Sequence, residues 1–498
     1  MMPKTDKTIY YFFIASVPVY LLLVVLLRDY SVDDAFVTFR YAENIAAGHG
    51  FVFNIGDPPV EGYSNSLWLA LLTGLFKAGL PVYMSAKILG VLFFFIAAGI
   101  WLVIPLESDR RYRVLPAALF LAAPLTAFWA VSGLELGLYA AGLALYILAV
   151  LRGSYFSLLP LPLVALSRPE GPAIVLAAIL LAWFSREKTR RIKRLLGANL
   201  LILVVTTAAL VVFRLVVFGY PMPNTYYAKI GASHTGLLEL GKHLLYFLPL
   251  TVLFIWGMVY SIKRRKEAPG LFLCGGLFIV QAVISCMVSG VMNFNFRYLI
   301  VFLPAFLVVA VFALSRFSDG WQRRVLLVVS VAAVFVPIVP IEATVAREKK
   351  IIAAQDDLIF FINWESPDIR ISLTDVGRIP YYTSAGYNDI WGLVSADIAH
   401  EGFSPLRELL KFPDFFVFVG YVIGQKHMLR FGGEQLIYRT EGFKEIYQLD
   451  HVSRPLQFTI NEDTYHYLVF RRDNRALDSV LEIMWERSQQ ARKKTGER

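Results

Sequence analysis

The chain is short of the residues that a soluble protein keeps at its surface. Of 498 residues only 17% are charged, while 57% are hydrophobic and 14% aromatic. Soluble domains carry ~25% charged residues. That shortage excludes an ordinary soluble enzyme, and the same composition excludes disordered, collagen-like and coiled-coil chains. Cysteine is nearly missing. Cys274 and Cys286 both lie in or beside one apolar block, which rules out a disulfide framework or a cysteine metal cluster and leaves two buried thiols. A Gly-rich phosphate loop, a paired CxxC and a nucleophile elbow are absent, as are short-period repeats and low-complexity tracts.

What is present in their place is apolar sequence in long blocks. Stretches such as 9–27, 200–213 and 325–341 carry almost no charge, and many blocks approach the ~20 residues that cross a bilayer. The pattern predicts a polytopic α-helical membrane protein. Charge is divided unevenly along it. Through Ile341 there are 28 Lys and Arg against 15 Asp and Glu, a net of +13; from Glu342 onward there are 20 against 23, a net of −3. The basic excess belongs to the membrane half, where it sets topology; no nucleic-acid partner is implied.

The N-terminal apolar run is long and no small-residue cleavage site follows it, so it reads as a retained first helix with its N-terminus in the cytoplasm. Residues 186–194 hold six positive charges, 263–266 hold four, and Arg316, Arg323 and Arg324 add three; all three loops are placed in the cytoplasm by the positive-inside rule. Segments near 195–217, 242–261, 270–288, 297–315 and 324–341 alternate consistently between them. The loops 29–65, 218–241 and 289–296, and everything after 342, then face outside. Residues 68–80 are short for a span, and Arg110, Arg111 and Arg113 favour the cytoplasm. Laying 66–80 along the outer interface, making 86–105 the second span and breaking 155–185 in two at Arg168 and Pro169 satisfies both. Threading 66–80 across and leaving 155–185 whole gives the same total of eleven spans.

From about residue 345 the texture becomes that of a soluble α/β domain. Residues 369–373 and 415–418 read as buried strands followed by turns at 375–377 and Gly420. Residues 457–460 and 465–470 read as a late hairpin, and 477–492 as a terminal amphipathic helix. The expected division is a membrane module at 1–341, with the outside loop 28–65, and an extracytoplasmic α/β domain at 342–498 ending in a basic tail.

Chemistry concentrates after the first helix. Asp33 and Asp34 are adjacent carboxylates at a membrane surface, where mutual repulsion and lost hydration raise the pKa of at least one, a condition useful for a general base or a metal ligand. A helix start explains an isolated pair as simply, with Asp33 capping a helix from Asp34 to Ala47. The pair shares its long loop with Arg40, His49, Glu61, Tyr63 and Asn65, and such loops in compact proteins are usually functional. Further along, Arg168 with Glu170 interrupts an apolar run, which marks a functional site or a buried ion pair. Lys229 and Arg297 sit near outside ends of apolar segments, as snorkelling cations also do. Lys229 is close to Asn224, Tyr226 and Tyr227, whose rings suit sugar C–H faces as well as a membrane interface. His234 and His243 match no helical metal spacing.

The stretch DDAFVTFRYAENIAAGHGFVFN, followed by EGYSNSLW, strongly resembles bacterial members of the C-type glycosyltransferase superfamily, above all the terminal β-1,2-arabinofuranosyltransferase-like branch. Ser132-Gly133-Leu134-Glu135, Ser167-Arg168-Pro169-Glu170-Gly171, the run from Pro223 to Lys229, and Phe296-Arg297-Tyr298 follow in order. Asp375-Val376-Gly377-Arg378-Ile379-Pro380-Tyr381-Tyr382 and Asp389-Ile390-Trp391-Gly392-Leu393 extend it to about Gly420. The set is specific for the superfamily and less so for the sugar.

The resemblance implies an inverting enzyme in the bacterial cytoplasmic membrane, active on its outer face. Its sugar comes from a polyprenyl-phosphate donor and goes to a glycan or glycolipid acceptor of the cell envelope, arabinofuranose being one candidate sugar. The superfamily's catalytic carboxylate maps onto Asp33 or Asp34. The residue types agree: inverting transfer needs a carboxylate to take the acceptor's proton and cations to hold the leaving phosphate. Arg168, Lys229 and Arg297 are the phosphate candidates. Arg40, His49, Glu61, Tyr63, Asn65, Glu170, Asn224, Tyr226, Tyr227, Tyr298 and Asp375 are the pocket candidates. A divalent cation at Asp33 and Asp34 is the one cofactor considered. The rival readings are a transporter or flippase for a lipid-linked glycan, which would usually show paired repeat halves, and a non-catalytic envelope-assembly membrane protein.

Overall fold

The computed structural model describes residues 4–106, 110–186, 189–229, 235–288, 292–318, 320–423, 426–453, 456–457 and 464–479. The chain divides into two compact units. The first comprises Met1–Ala46, Ser64–Pro221 and Ile230–Val345; the second comprises Ala47–Tyr63, Met222–Lys229 and Ala346–Arg498. This differs from a linear division near 342, because the second unit also takes in two short upstream segments.

The first unit is helical. Helix α1 (Lys4–Leu27) is followed by α2 (Asp33–Ala46), α3 (Ser66–Lys77) and α4 (Val82–Trp101). The run at 155–185 is broken as the Arg168–Pro169 pair suggested: one helix ends at Ser167, Arg168 is extended at φ −148°, and the next helix starts at Gly171. Among the described residues four helices are long and apolar enough to cross a membrane, Val82–Trp101, Arg190–Phe218, Pro269–Cys286 and Trp321–Asn363. A fifth is reached if Gly236–Tyr246 and Leu248–Lys263, bent by 99° at their junction, count as one broken span. The bend falls at Pro249, at the start of the second helix, where proline is compatible with a new first turn but not with continuation. By length and composition the described residues thus supply four or five of the eleven expected spans. The other apolar helices, such as Leu136–Leu151 and Gly171–Ser185, are shorter than 18 residues.

The second unit is built on a mixed sheet ordered β2-β1-β3-β7-β5, with β4 paired to β3 and β6 to β7. Its strands are β1 (Arg370–Leu373), β2 (Gly386–Asp389), β3 (Phe415–Ile423), β4 (Lys426–Leu429), β5 (Tyr447–Val452), β6 (Leu456–Gln457) and β7 (Thr464–Arg472). β1 runs parallel to β2 and β3, while β7 is antiparallel to β3 and β5. Phe416, Phe418, Phe443, Leu468 and Phe470 form its core on one face. The expected strands at 369–373 and 415–418 are present; of the late hairpin, Leu456–Gln457 pairs with Thr464 and Tyr465 while 458–463 lie outside the described residues, as does most of the expected 477–492 helix.

The upstream segment 47–63 covers an edge of this sheet. Asn54 donates its side-chain amide to the Tyr387 carbonyl at 2.8 Å and accepts the Tyr387 N–H at 3.0 Å, imitating a neighbouring strand on β2 and blunting an edge that would otherwise be open. Asp57 forms a two-pronged pair with Arg370, 2.8 Å on each arm, and that bonding holds its carboxyl below the usual range.

Glu434 sits wholly buried in the helix Gly432–Arg439, accepting from the Val419 N–H at 3.1 Å and the Thr374 hydroxyl at 3.0 Å. Burial, with Asp375 nearby, pushes its carboxyl well above the ordinary range. A group raised on folding contributes stability below its unfolded value and loses it as pH climbs through the folded value. Glu434→Gln is therefore expected to melt a few degrees above the parent at pH 7.5. The gap should close by pH 5, as read by thermal unfolding of both proteins across that range.

Candidate active site

In the first unit α2 begins at Asp33, so the two acids occupy the first turn, where the helix dipole favours negative charge. Both are half-buried. Asp34 Oδ2 accepts from Arg297 Nη1 at 2.8 Å, with the arginine side chain 11% exposed. The Nε of Arg297 is buried and has no hydrogen-bond partner. A buried guanidinium nitrogen left unbonded costs free energy unless an acceptor arrives. The backbone before the pair is fixed by the Val32 N–H, which donates to the Ser132 carbonyl at 3.1 Å.

The break at Arg168 organises a second, fully buried cluster. Arg168 donates from Nε to Glu170 and from Nη1 to Glu135, each at 2.5 Å, with all three side chains 8% exposed or less. Glu135 Oε2 also accepts from Asn65 Nδ2 at 2.9 Å, and Asn65 Oδ1 accepts from the Thr38 hydroxyl at 3.2 Å. The Tyr298 ring lies under the guanidinium, 4.9 Å to its centre, so the residue after Arg297 touches Arg168. Gly133 makes the approach possible. It has φ +86°, and a Cβ there would come within 3.0–3.1 Å of Phe39 and Ala35 on α2.

Of the residues singled out from the sequence, Asp33, Asp34, Arg40, Asn65, Arg168, Glu170, Arg297 and Tyr298 lie in this unit. Asp34 with Arg297, and Arg168 with Glu170, Asn65 and Tyr298, are brought together. Arg40 is half-buried, about two turns along α2. Glu135, in the sequence one member of the Ser132–Glu135 motif, proves to be the centre of the Arg168 cluster. A solitary carboxylate inside an apolar block was the available signal.

His49, Glu61, Tyr63, Asn224, Tyr226, Tyr227, Lys229 and Asp375 belong to the second unit. His49 is exposed between two glycines at positive φ. Glu61 and Tyr63 are buried, and the Glu61 carbonyl accepts the Asn224 N–H at 3.0 Å. Asn224 donates its side-chain amide to the carbonyls of Gly392 and Leu393 at 2.6 and 3.0 Å, tying the 222–229 segment to the loop after β2. Tyr227 stacks near His400, 4.4 Å between ring centres. Asp375 follows β1 and accepts hydroxyls from Tyr465 and Tyr467 at 2.6 Å each. No group of three or more His, Cys, Asp or Glu suited to a metal occurs among the described residues. A cation at Asp33 and Asp34 would need further oxygens from its substrate. His234 lies outside the described residues.

Set against known proteins, residues 352–470 match a domain of unknown function (DUF8728). Two solved membrane enzymes share the fold. ArnT from Cupriavidus metallidurans, bound to undecaprenyl phosphate, superposes with a TM-score of 0.59 at 14% identity, covering 92% of this chain and 97% of that one. The oligosaccharyltransferase AglB from Archaeoglobus fulgidus, in complex with an inhibitory peptide and a dolichol-phosphate, does so at 0.57 and 11% identity, covering 90% and 80%. The molecule is thus an integral-membrane protein with the C-type glycosyltransferase fold that its motifs resemble. In sequence it is similar to the terminal β-(1→2)-arabinofuranosyltransferase of Mycobacterium tuberculosis, 31% identical over 272 residues, which is 48% of this chain and 42% of that protein. The chain therefore spans less than half the length of this curated relative.

Removing one partner from a buried ion cluster leaves an uncompensated charge and costs about 3–5 kcal/mol. Glu135→Ala should accordingly lower the thermal stability of the purified protein by that order. Glu135→Gln, which keeps the hydrogen-bonding shape, should cost less in the same unfolding assay.

Proposed function

We propose that this protein is an inverting glycosyltransferase of a bacterial cytoplasmic membrane. It moves a sugar from a polyprenyl-phosphate donor to a glycan or glycolipid acceptor on the outer face. The observation that carries this reading is the Asp34–Arg297 pair with its unbonded, buried Nε. A carboxylate and an incompletely satisfied cation side by side are what transfer from a phosphate leaving group requires. Arg168 is committed to two carboxylates at Nε and Nη1, whereas Arg297 has a buried nitrogen to offer.

In the proposed reaction the donor phosphate draws Arg297 away from Asp34. The freed carboxylate, or that of Asp33, takes the acceptor hydroxyl's proton. The acceptor oxygen bonds to the anomeric carbon from the face opposite the phosphate, and the bond from that carbon to the phosphate oxygen breaks. The electron pair leaves with the phosphate, whose charge Arg297 neutralises. Inversion follows from the single displacement.

A lipid donor is supported by an apolar groove of about 730 Å³ between α1 and α4. Tyr20, Leu21 and Val91 line its length, and Arg28, Tyr83 and Lys87 its polar end. Lys87 donates to the Tyr30 carbonyl at 2.7 Å, so that end lies three residues before the acid pair. The similarity to an arabinofuranosyltransferase supports a furanosyl sugar. The proposal includes eleven membrane segments, with the shorter apolar helices crossing as well, and the second unit outside.

The test is to incubate purified protein with a panel of furanosyl and pyranosyl polyprenyl phosphates, with and without a chelator, and to follow transfer and slow donor hydrolysis. Asp33→Asn or Asp34→Asn should lower turnover by at least about 100-fold while donor binding persists. A transporter or scaffold would be indifferent to both. Arg297→Ala should raise the donor KM by roughly tenfold or more. Activity that survives the chelator would dismiss the divalent cation.

A further inference from the structure

The turn that delivers Arg297 is bent against the preferences of its own backbone. Asn295 and Phe296 both have positive φ, 44° and 62°. Asparagine tolerates this region, but a bulky aromatic residue rarely adopts it and is strained there. Such conformations persist where the surroundings over-determine them, and they concentrate at functional sites.

The surroundings here do over-determine the turn. The buried Trp129 indole donates from Nε1 to the Asn295 carbonyl at 2.7 Å. The Asn295 side-chain amide donates to the Thr344 hydroxyl at 2.8 Å, and that hydroxyl donates to the Pro340 carbonyl at 2.8 Å. Asn293 Oδ1 accepts the Tyr298 N–H at 3.2 Å. The Phe296 ring is stacked on His243 with centres 3.9 Å apart and lies edge-on to Phe247 at 5.1 Å. Arg297 is thus bracketed by a locked pair before it and by Tyr298, under Arg168, after it.

Trp129 has a second connection. It belongs to the short helix Pro124–Ala130, and the chain continues at once through Ser132, which holds the backbone before Asp33, to Glu135, which holds Arg168. One stretch of seven residues, 129–135, therefore touches the supports of the acid pair and of both arginines.

We propose that Trp129 and Asn295 are positioning residues. They hold the strained Asn295–Phe296 turn so that Arg297 is aimed, in advance, at the phosphate of a lipid-linked substrate. The proposal rests on the reading of Arg297 given above and adds the device that sets its geometry. A flexible arginine loses side-chain freedom on binding an anion, whereas one fixed beforehand has already lost it, and the difference appears as affinity. Neither residue touches substrate; both act through Arg297.

The experiment measures binding of undecaprenyl phosphate, and of the uncharged alcohol undecaprenol as control, to the full-length protein in nanodiscs. Thermal midpoints are recorded alongside. Trp129→Phe removes the indole donor while keeping a large ring. Asn295→Val places a β-branched residue where positive φ is unfavourable, Asn295→Gly restores backbone freedom, and Arg297→Ala is the reference for complete loss.

Trp129→Phe and Asn295→Val are each expected to weaken phosphate binding about tenfold with alcohol binding nearly unchanged, and Trp129→Phe to do so with little change in the midpoint. Asn295→Gly should fall between Asn295→Val and the parent, following what the backbone allows. Should Asn295→Val fail to fold, Trp129→Phe and Asn295→Gly still read the effect. Parent-like phosphate binding in Trp129→Phe and Asn295→Val, beside weak binding in Arg297→Ala, overturns the positioning role alone. Equal loss for phosphate and alcohol, or loss in proportion to a falling midpoint, also overturns it, since that is general loosening. Parent-like binding in Arg297→Ala instead removes the assignment of Arg297 itself, and this inference with it.

Discussion

A guanidinium taken out of water between two carboxylates is the constraint around which the helical unit is arranged. Burying Arg168 alone would cost several kcal/mol, so Glu135 and Glu170 must reach it, Asn65 must satisfy the second oxygen of Glu135, and Thr38 in turn donates to Asn65. The backbone follows from that demand. The chain leaves helical geometry at Arg168 so that its side chain can turn inward. The next helix restarts at Gly171, where a Cβ would come within 2.2 Å of the Val164 carbonyl. The broken apolar run is thus a consequence of where the charge has to be.

The Asp34–Arg297 pair differs in kind. The Arg168 cluster is closed, with its members 8% exposed or less, whereas Asp34 is 38% exposed and Arg297 keeps an unbonded nitrogen. Tyr298 links the two, next to Arg297 in sequence and beneath Arg168 in space. A rigid, satisfied set of charges thus stands behind an arginine with one nitrogen unbonded. Binding sites commonly divide their electrostatics this way, with fixed groups orienting the ones that must exchange partners.

Much of this was legible in the residues, and the failures have physical causes. Apolar runs announced the membrane helices, and the strands at 370–373 and 415–423 showed as short β-branched and aromatic stretches. Span number was harder to read, because helices interrupted at Pro249 and at Arg168 give apolar segments shorter than a bilayer crossing. Among candidate site residues, Asp34, Arg168 and Arg297 stand out because charge is scarce near apolar sequence. Glu135 carried the same signal and was passed over, since its partner lies 33 residues away. The Asn54 pairing with β2 could not be seen, because an asparagine that imitates a strand has no periodicity to betray it. Nor does the strained turn show, since Asn-Phe is an unremarkable dipeptide until its φ angles are known.

The second unit's discontinuity bears on how the protein comes to be made. Asn54 waits for Tyr387, 333 positions downstream, and at ordinary translation speeds that is a delay of roughly tens of seconds. Throughout that interval the 47–63 stretch has no sheet to lie against. A fragment cut at 346 would lack this stretch and the 222–229 segment, leaving the β2 margin bare and Arg370 without its acid. The region matched as a domain, 352–470, is accordingly the larger part of a body whose two upstream pieces the ribosome released long before.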